Sequence, residues 1–82
     1  ANYEKGLFFL AAKDFDNANN RFVKSVENDW NNWRSHLELG KIAKDNDERE
    51  KAEMHFKIVM DLDPKNKTAS KLLDQLGNTS SQ

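Results

Sequence analysis

Two histidines, His36 and His55, are the side chains best suited to acid–base or metal chemistry near neutral pH. They stand 19 positions apart, which matches no zinc spacing, and no carboxylate or second histidine sits three or four residues beyond either in a ligating pattern. Both read as ordinary helix residues, with Glu50 and Glu53 near His55 as a solvated charged face. Cysteine is absent, so there is neither a disulfide framework nor a thiolate metal site. No phosphate-cradling glycine loop and no serine-nucleophile elbow occurs. The sequons at Asn66 and Asn78 come with no signal peptide and read as coincidental. An enzyme is therefore not expected, and neither is a cofactor or a metal.

What remains is binding, and the composition narrows it. The 82 residues allow one small domain whose core supplies about 3–5 kcal/mol. With 13 basic against 14 acidic residues the net charge is −1, so the electrostatic footprint of a nucleic-acid binder is missing. No apolar run approaches the ~18 residues of a membrane span. The cytoplasm is the favoured compartment. Three glycines and one proline are too few for a turn-rich β fold.

Helical spacing dominates instead. A first helix is expected over residues 1–13, apolar nearly all round through Tyr3, Leu7, Phe8, Phe9 and Leu10, and so packed on more than one side. Asp14 or Asp16 can cap a second, about 16–27, striped by Ala18, Phe22, Val23 and Val26. A third should span about 32–44 and a fourth about 47–61, with residues 45–47 as turn and N-cap. Asp47/Lys51 and Glu53/Lys57 are acid-to-base pairs on the fourth helix's outer face. Pro64 stops that helix. A fifth is expected from about Lys65 to Leu76, with Gly77 as its C-cap and a disordered tail over 78–82.

Sliding the chain against itself by 34 residues aligns Glu4 with Glu38, Gly6 with Gly40, Ala18 with Ala52, Phe22 with Phe56, Asp29 with Asp63 and Asn32 with Asn66. The chemistry is pointed. Glycine in mid-helix costs about 1 kcal/mol against alanine unless the space is needed. Glycine on one helix and alanine on the next let the two approach closely, and the phenylalanine fills the gap a turn further on.

Glycine, alanine twelve later, a large aromatic four later and proline eight later resembles the tetratricopeptide repeat. Gly40, Ala52, Phe56 and Pro64 fit it, preceded by Leu39 and closed by Asp61-Leu62-Asp63. Gly6, Phe9, Ala18 and Phe22 fit it in the first unit, which has Trp30 where the family has proline. His36 stands at the usual tryptophan and Ala43 at the usual aromatic of the second unit. The resemblance covers about residues 1–64. It implies an all-α domain over residues 1–77 of about five helices: antiparallel hairpins stacked as a short right-handed superhelix. Repeat one would take about 1–32, repeat two about 33–66, and a closing helix about 65–77.

Such repeats generally bind proteins in a concave groove lined by the first helix of each pair. The resemblance places Tyr3, Leu7 and Leu10 there, followed by Arg34, Leu37, Lys41 and Lys44, with Thr68, Lys71 and Gln75 from the closing helix. That groove is apolar at one end and basic further on, suited to a peptide with an aliphatic anchor and an acidic end. The family's chaperone-tail clamp is not expected, because Tyr3, Leu7, Glu38, Thr68 and Leu72 occupy its positions. The chain enters the first repeat two residues late and so reads as an excerpt of a larger scaffold or adaptor protein.

Trp30 and Trp33 are candidate anchors for a partner, Trp30 alternatively filling the junction between repeats. Seven of eight aromatics fall within the first 33 residues, so an alternative is a self-associating element. Its aromatic first repeat would then pack on another copy, as a homodimer, or on the rest of its parent protein. A helical bundle without repeats is the third reading.

Overall fold

The computed structural model describes residues 1–80. It contains five helices and, among the described residues, no strand: α1 (Asn2–Ala11), α2 (Phe15–Asn28), α3 (Trp33–Asp45), α4 (Arg49–Leu62) and α5 (Lys67–Ser80). The protein is all-α. α1 folds back on α2 and α3 on α4, while α2 also touches α3 and α4 touches α5.

The 34-residue period holds in the element bounds. α2 and α4 start and end one period apart, and so do the starts of α3 and α5. It holds in the turns as well. Lys13 and Asp47 are the only non-glycine residues with positive φ among those described, at 62° and 61°. Each sits just past a helix end whose carbonyls are closed in the same way. The N–H of Asp14 donates to Phe9 O at 2.9 Å and that of Glu48 to Ala43 O at 2.8 Å, the long bond of a left-handed helix stop. The starts of α3 and α5 repeat too. Asn32 Oδ1 accepts from Ser35 N at 3.2 Å, and Asn66 Oδ1 from Ala69 N at 2.8 Å, each side chain satisfying an orphan donor.

Packing follows the same rule. A methyl group placed on Gly6 would lie 2.7 Å from Phe22 Cδ1, and one on Gly40 would lie 2.7 Å from Phe56 Cδ1. Both phenylalanines are wholly buried, as are Ala18 and Ala52 beside them. One cluster joins Ala18, Phe22 and Val26 of α2 to Leu39 and Ile42 of α3. The other joins Ala52, Phe56 and Val59 of α4 to Leu37, Ala43, Ala69 and Leu76. The junctions between hairpins differ in polarity. At the first, Ser35 Oγ donates to Ser25 Oγ at 2.7 Å, and Asn32 Nδ2 donates to the same oxygen at 3.0 Å. At the second, the equivalent residues are Val59 and Ala69, both buried.

Several expectations are corrected. Of the two expected caps for α2, Asp14 is the one used, accepting from Asn17 N at 3.3 Å, and α2 starts at Phe15 rather than about Asp16. Asp47 is not the N-cap of α4. It takes the left-handed turn position, which leaves Glu48 as the cap without a side-chain bond. Asp47 thus lies outside the helix that was to pair it with Lys51, whereas Glu53 and Lys57 do approach, to 3.8 Å. α1 is packed on one side rather than all round, with Leu7, Phe8, Ala11 and Ala12 exposed. Gly77 does not end α5. Its φ is not positive, and the helix continues to Ser80, so the tail expected over 78–82 is helical as far as residue 80. Residues 81 and 82 lie outside the described part. No helix among the described residues is long and apolar enough to cross a membrane.

Candidate functional site

The residues expected along the groove lie one period apart on α1 and α3: Tyr3 and Leu37, Leu7 and Lys41, Leu10 and Lys44. Gly6 and Gly40 let α1 lie close against Phe22 of α2 and α3 close against Phe56 of α4. Tyr3 is half-buried, its ring 6.0 Å from that of Phe22. Burial raises its hydroxyl pKa. The neighbouring Glu38 carboxylate raises it further, Arg34 opposes, and Glu4 adds a smaller push upward. Leu7 is exposed, and Leu10 is half-buried against the α2–α3 cluster. The Arg34 guanidinium lies 4.4 Å from the centre of the Trp33 ring, a cation–π contact in reach of solvent.

Two expected contacts play different parts. Leu37 is only 8% exposed and belongs to the core cluster with Phe56 and Val59, so its side chain is not offered to a partner. Lys41 Nζ lies 3.6 Å from Glu38 Oε2, which offsets part of the positive charge expected along this stretch. Lys44 is half-buried in the last turn of α3. Lys71 is exposed and borders a separate cleft of about 320 Å³ with Met60, Pro64 and Asp74. The structure thus brings Tyr3 and Arg34 together and leaves Lys71 apart. Both line an open cleft of about 850 Å³, shared with Trp33 and Asp29, where the first turn of α1 meets the end of α2 and the start of α3. Glu38, placed by the resemblance at a position of the groove clamp, is half-buried and lies close to Lys41.

The histidines do meet. His36 Nδ1 lies 3.3 Å from His55 Nδ1, both rings buried, and His36 Nε2 lies 2.9 Å from the Trp30 carbonyl oxygen. A carbonyl only accepts, so His36 carries its proton on Nε2 and its Nδ1 accepts from His55 Nδ1–H. Both rings are then neutral and both facing nitrogens are satisfied. Burial lowers the pKa of His36, against the pull of the Trp30 carbonyl. Burial, then electrostatic repulsion from His36 and Lys51, lower that of His55 to about 4, which keeps it neutral near pH 7. The Trp30 ring covers the pair edge-on, 4.6 Å from His36, and remains 58% exposed on its other side. In the first hairpin the equivalent positions hold Asn2 and Arg21, and Arg21 Nη1 donates to Asn2 Oδ1 at 3.4 Å.

Among the described residues no group of three histidine, cysteine, aspartate or glutamate side chains could hold a metal ion. Every buried side-chain nitrogen or oxygen among them has a partner. Comparison with protein-family models and with curated proteins returns no match for this chain.

Proposed function

We propose that this chain is a non-catalytic protein-interaction module of the tetratricopeptide-repeat type, which binds a partner segment along the face of its first helices. The observation that carries the reading is the doubled glycine–phenylalanine lock, one period apart and equal in geometry. It holds two first helices at one height, and a row of such helices stacked as a right-handed superhelix forms a continuous groove. The groove recognises an extended peptide. Leu7 and Leu10 offer an aliphatic seat, the Tyr3 hydroxyl and the Arg34 guanidinium on Trp33 offer polar contacts, and Lys44 offers charge. The ligand chemistry is an aliphatic anchor followed by an acidic end. The setting is a scaffold or adaptor protein, with no part for nucleic acid, membrane or a chaperone-tail clamp, and the cytoplasm is the compartment proposed.

The test is selection of peptides from a random displayed library on the wild-type chain, followed by titration against Arg34→Glu/Lys44→Glu. Enrichment of acidic peptides that lose about tenfold or more in affinity for the double variant, with unchanged melting, supports the reading. Peptides that bind both chains equally would overturn it. A second reading, self-association, is favoured by one observation: Phe8 on α1 is 70% exposed. Light scattering at high concentration separates the two, since a strict monomer ends the second.

A further inference from the structure

His36 and His55 take no part in the proposed groove, yet the fold of the α3–α4 hairpin sets these two imidazoles face to face. Their Nδ1 atoms lie 3.3 Å apart. The other two nitrogens are held differently. His36 Nε2 donates to the Trp30 carbonyl oxygen at 2.9 Å, which keeps the proton there and leaves the Nδ1 lone pair free. A backbone carbonyl on the far nitrogen is also what orients a histidine that ligates a metal. His55 Nε2 makes no hydrogen bond among the described residues. Every buried side-chain nitrogen among them has a partner, so this atom reaches the surface. It can take up the proton that now lies between the rings. Burial lowers both pKa values, so both rings are neutral near pH 7, the form in which histidine ligates.

Distance decides what fits between them. An imidazole–metal bond is about 2.0–2.1 Å long. Two such bonds hold their nitrogens about 4.1 Å apart in a linear complex and about 2.9 Å apart at the right angle of a square one. At a tetrahedral angle the separation is about 3.3 Å. The observed 3.3 Å is therefore a tetrahedral edge. A linear ion would have to part the two nitrogens by about 0.8 Å more. With the ring centroids 5.5 Å apart, a tetrahedral ion asks each ring only to pivot about its Nδ1.

We propose that His36 Nδ1 and His55 Nδ1 form a two-histidine seat for an exchangeable, tetrahedral Zn(II), with water in its other two positions. Closed structural zinc sites have four protein ligands and catalytic ones three, so two make a seat that fills and empties with the free ion. The ion ties α3 to α4 across their hairpin. On binding, the His55 proton moves from Nδ1 to Nε2, and neither imidazole releases one. The Trp30 ring, edge-on to His36 and 58% exposed, is the lid. The Lys51 ammonium already acts on His55 and opposes a second cation. The α1–α2 hairpin has no such seat, because Asn2 and the cationic Arg21 stand there instead. The seat does not rest on the peptide groove, and either can fail alone.

The probe is Zn(II) itself, titrated into the full chain near pH 7 against a competing chromophoric chelator. One equivalent should bind, at least about tenfold more weakly in His36→Asn/His55→Arg. Zn(II) should raise the denaturation midpoint of wild type and leave that of the double variant unmoved. Lys51 is exposed, so Lys51→Gln keeps the fold, and it should tighten binding by about threefold. Nitrogen NMR of the wild-type chain needs no substitution: as Zn(II) is added, His55 should exchange an Nδ1 proton for an Nε2 proton. Co(II) in place of Zn(II) should give the intense visible absorption of a tetrahedral complex. Absent binding, binding that survives the double substitution or ignores Lys51→Gln, unchanged histidine tautomers in saturating Zn(II), or a pale octahedral Co(II) spectrum would each overturn the proposal.

Discussion

Hairpin one and hairpin two share a lock and differ in what lies beside it. Across the same pair of helix positions one sets Asn2 against Arg21, half-buried, and the other sets His36 against His55, buried beneath Trp30. The face of α1 is open where the matching face of α3 is covered. The shared parts are steric and fix the backbone. The differing parts are polar or exposed, and they are where the two hairpins acquire separate properties.

The largest effect should come from breaking the shared part. Alanine at Gly6 or Gly40 gains about 1 kcal/mol of helix propensity. Its methyl group meets a wholly buried phenylalanine ring at 2.7 Å, and overpacking of this kind costs about 1–3 kcal/mol. Valine adds two more carbons and loses the propensity gain, so Gly40→Val should approach the whole stability of a domain this small. Chemical denaturation would measure it. Gly6→Val should cost less, because the open side of α1 lets that helix move away from α2. Equal costs at the two glycines would mean that the hairpins are as rigid as each other.

The next effect separates the hairpins by pH. Burial holds both histidines below their ordinary pKa, His55 at about 4. The unfolded chain takes up these protons first as pH falls, so between about 6.5 and 4 it binds more protons than the native state and stability falls with pH. The full stability is present above pH 6.5. A shift of this size corresponds to a loss of about 3 kcal/mol by pH 4, read as the property of the pair. Replacing the pair with its hairpin-one counterpart, His36→Asn/His55→Arg, should flatten stability over this range. A double variant as acid-sensitive as wild type would place the titration in the carboxylates instead.

This contrast also marks what could be read from residue order alone. The lock was legible because glycine in mid-helix is chemically unusual and recurs, with an alanine and a phenylalanine, at one spacing. The third helix, expected over about 32–44, runs Trp33–Asp45 with Asn32 as its cap. The histidine pair was not legible, since 19 residues is no ligand spacing and only the fold of one hairpin turns it into a contact. Knowing that residues 2 and 21 touch would have predicted that 36 and 55 do. Leu37 was misassigned to the groove because helical phase gives a direction but not what stands there, and α4 stands over it. Gly77 was expected to stop α5, but glycine permits a left-handed turn without requiring one.

The smallest effect lies in the two turns. Lys13 and Asp47 occupy left-handed backbone at nearly the same φ, in the position where glycine is the common choice. For a residue with a β-carbon that conformation costs about 1–2 kcal/mol, less for aspartate, whose short polar side chain tolerates it. Glycine relieves the strain but loosens the unfolded chain, which returns part of the gain. Lys13→Gly should therefore stabilise by about 0.5–1 kcal/mol, and Asp47→Gly by less. The order matters more than the sizes. Both turns close the same long bond, Asp14 N to Phe9 O in one and Glu48 N to Ala43 O in the other, so a difference in melting between the variants isolates the side chain. If Asp47→Gly gains as much as Lys13→Gly, the aspartate contributes nothing of its own to its turn, and the two hairpins are alike there too.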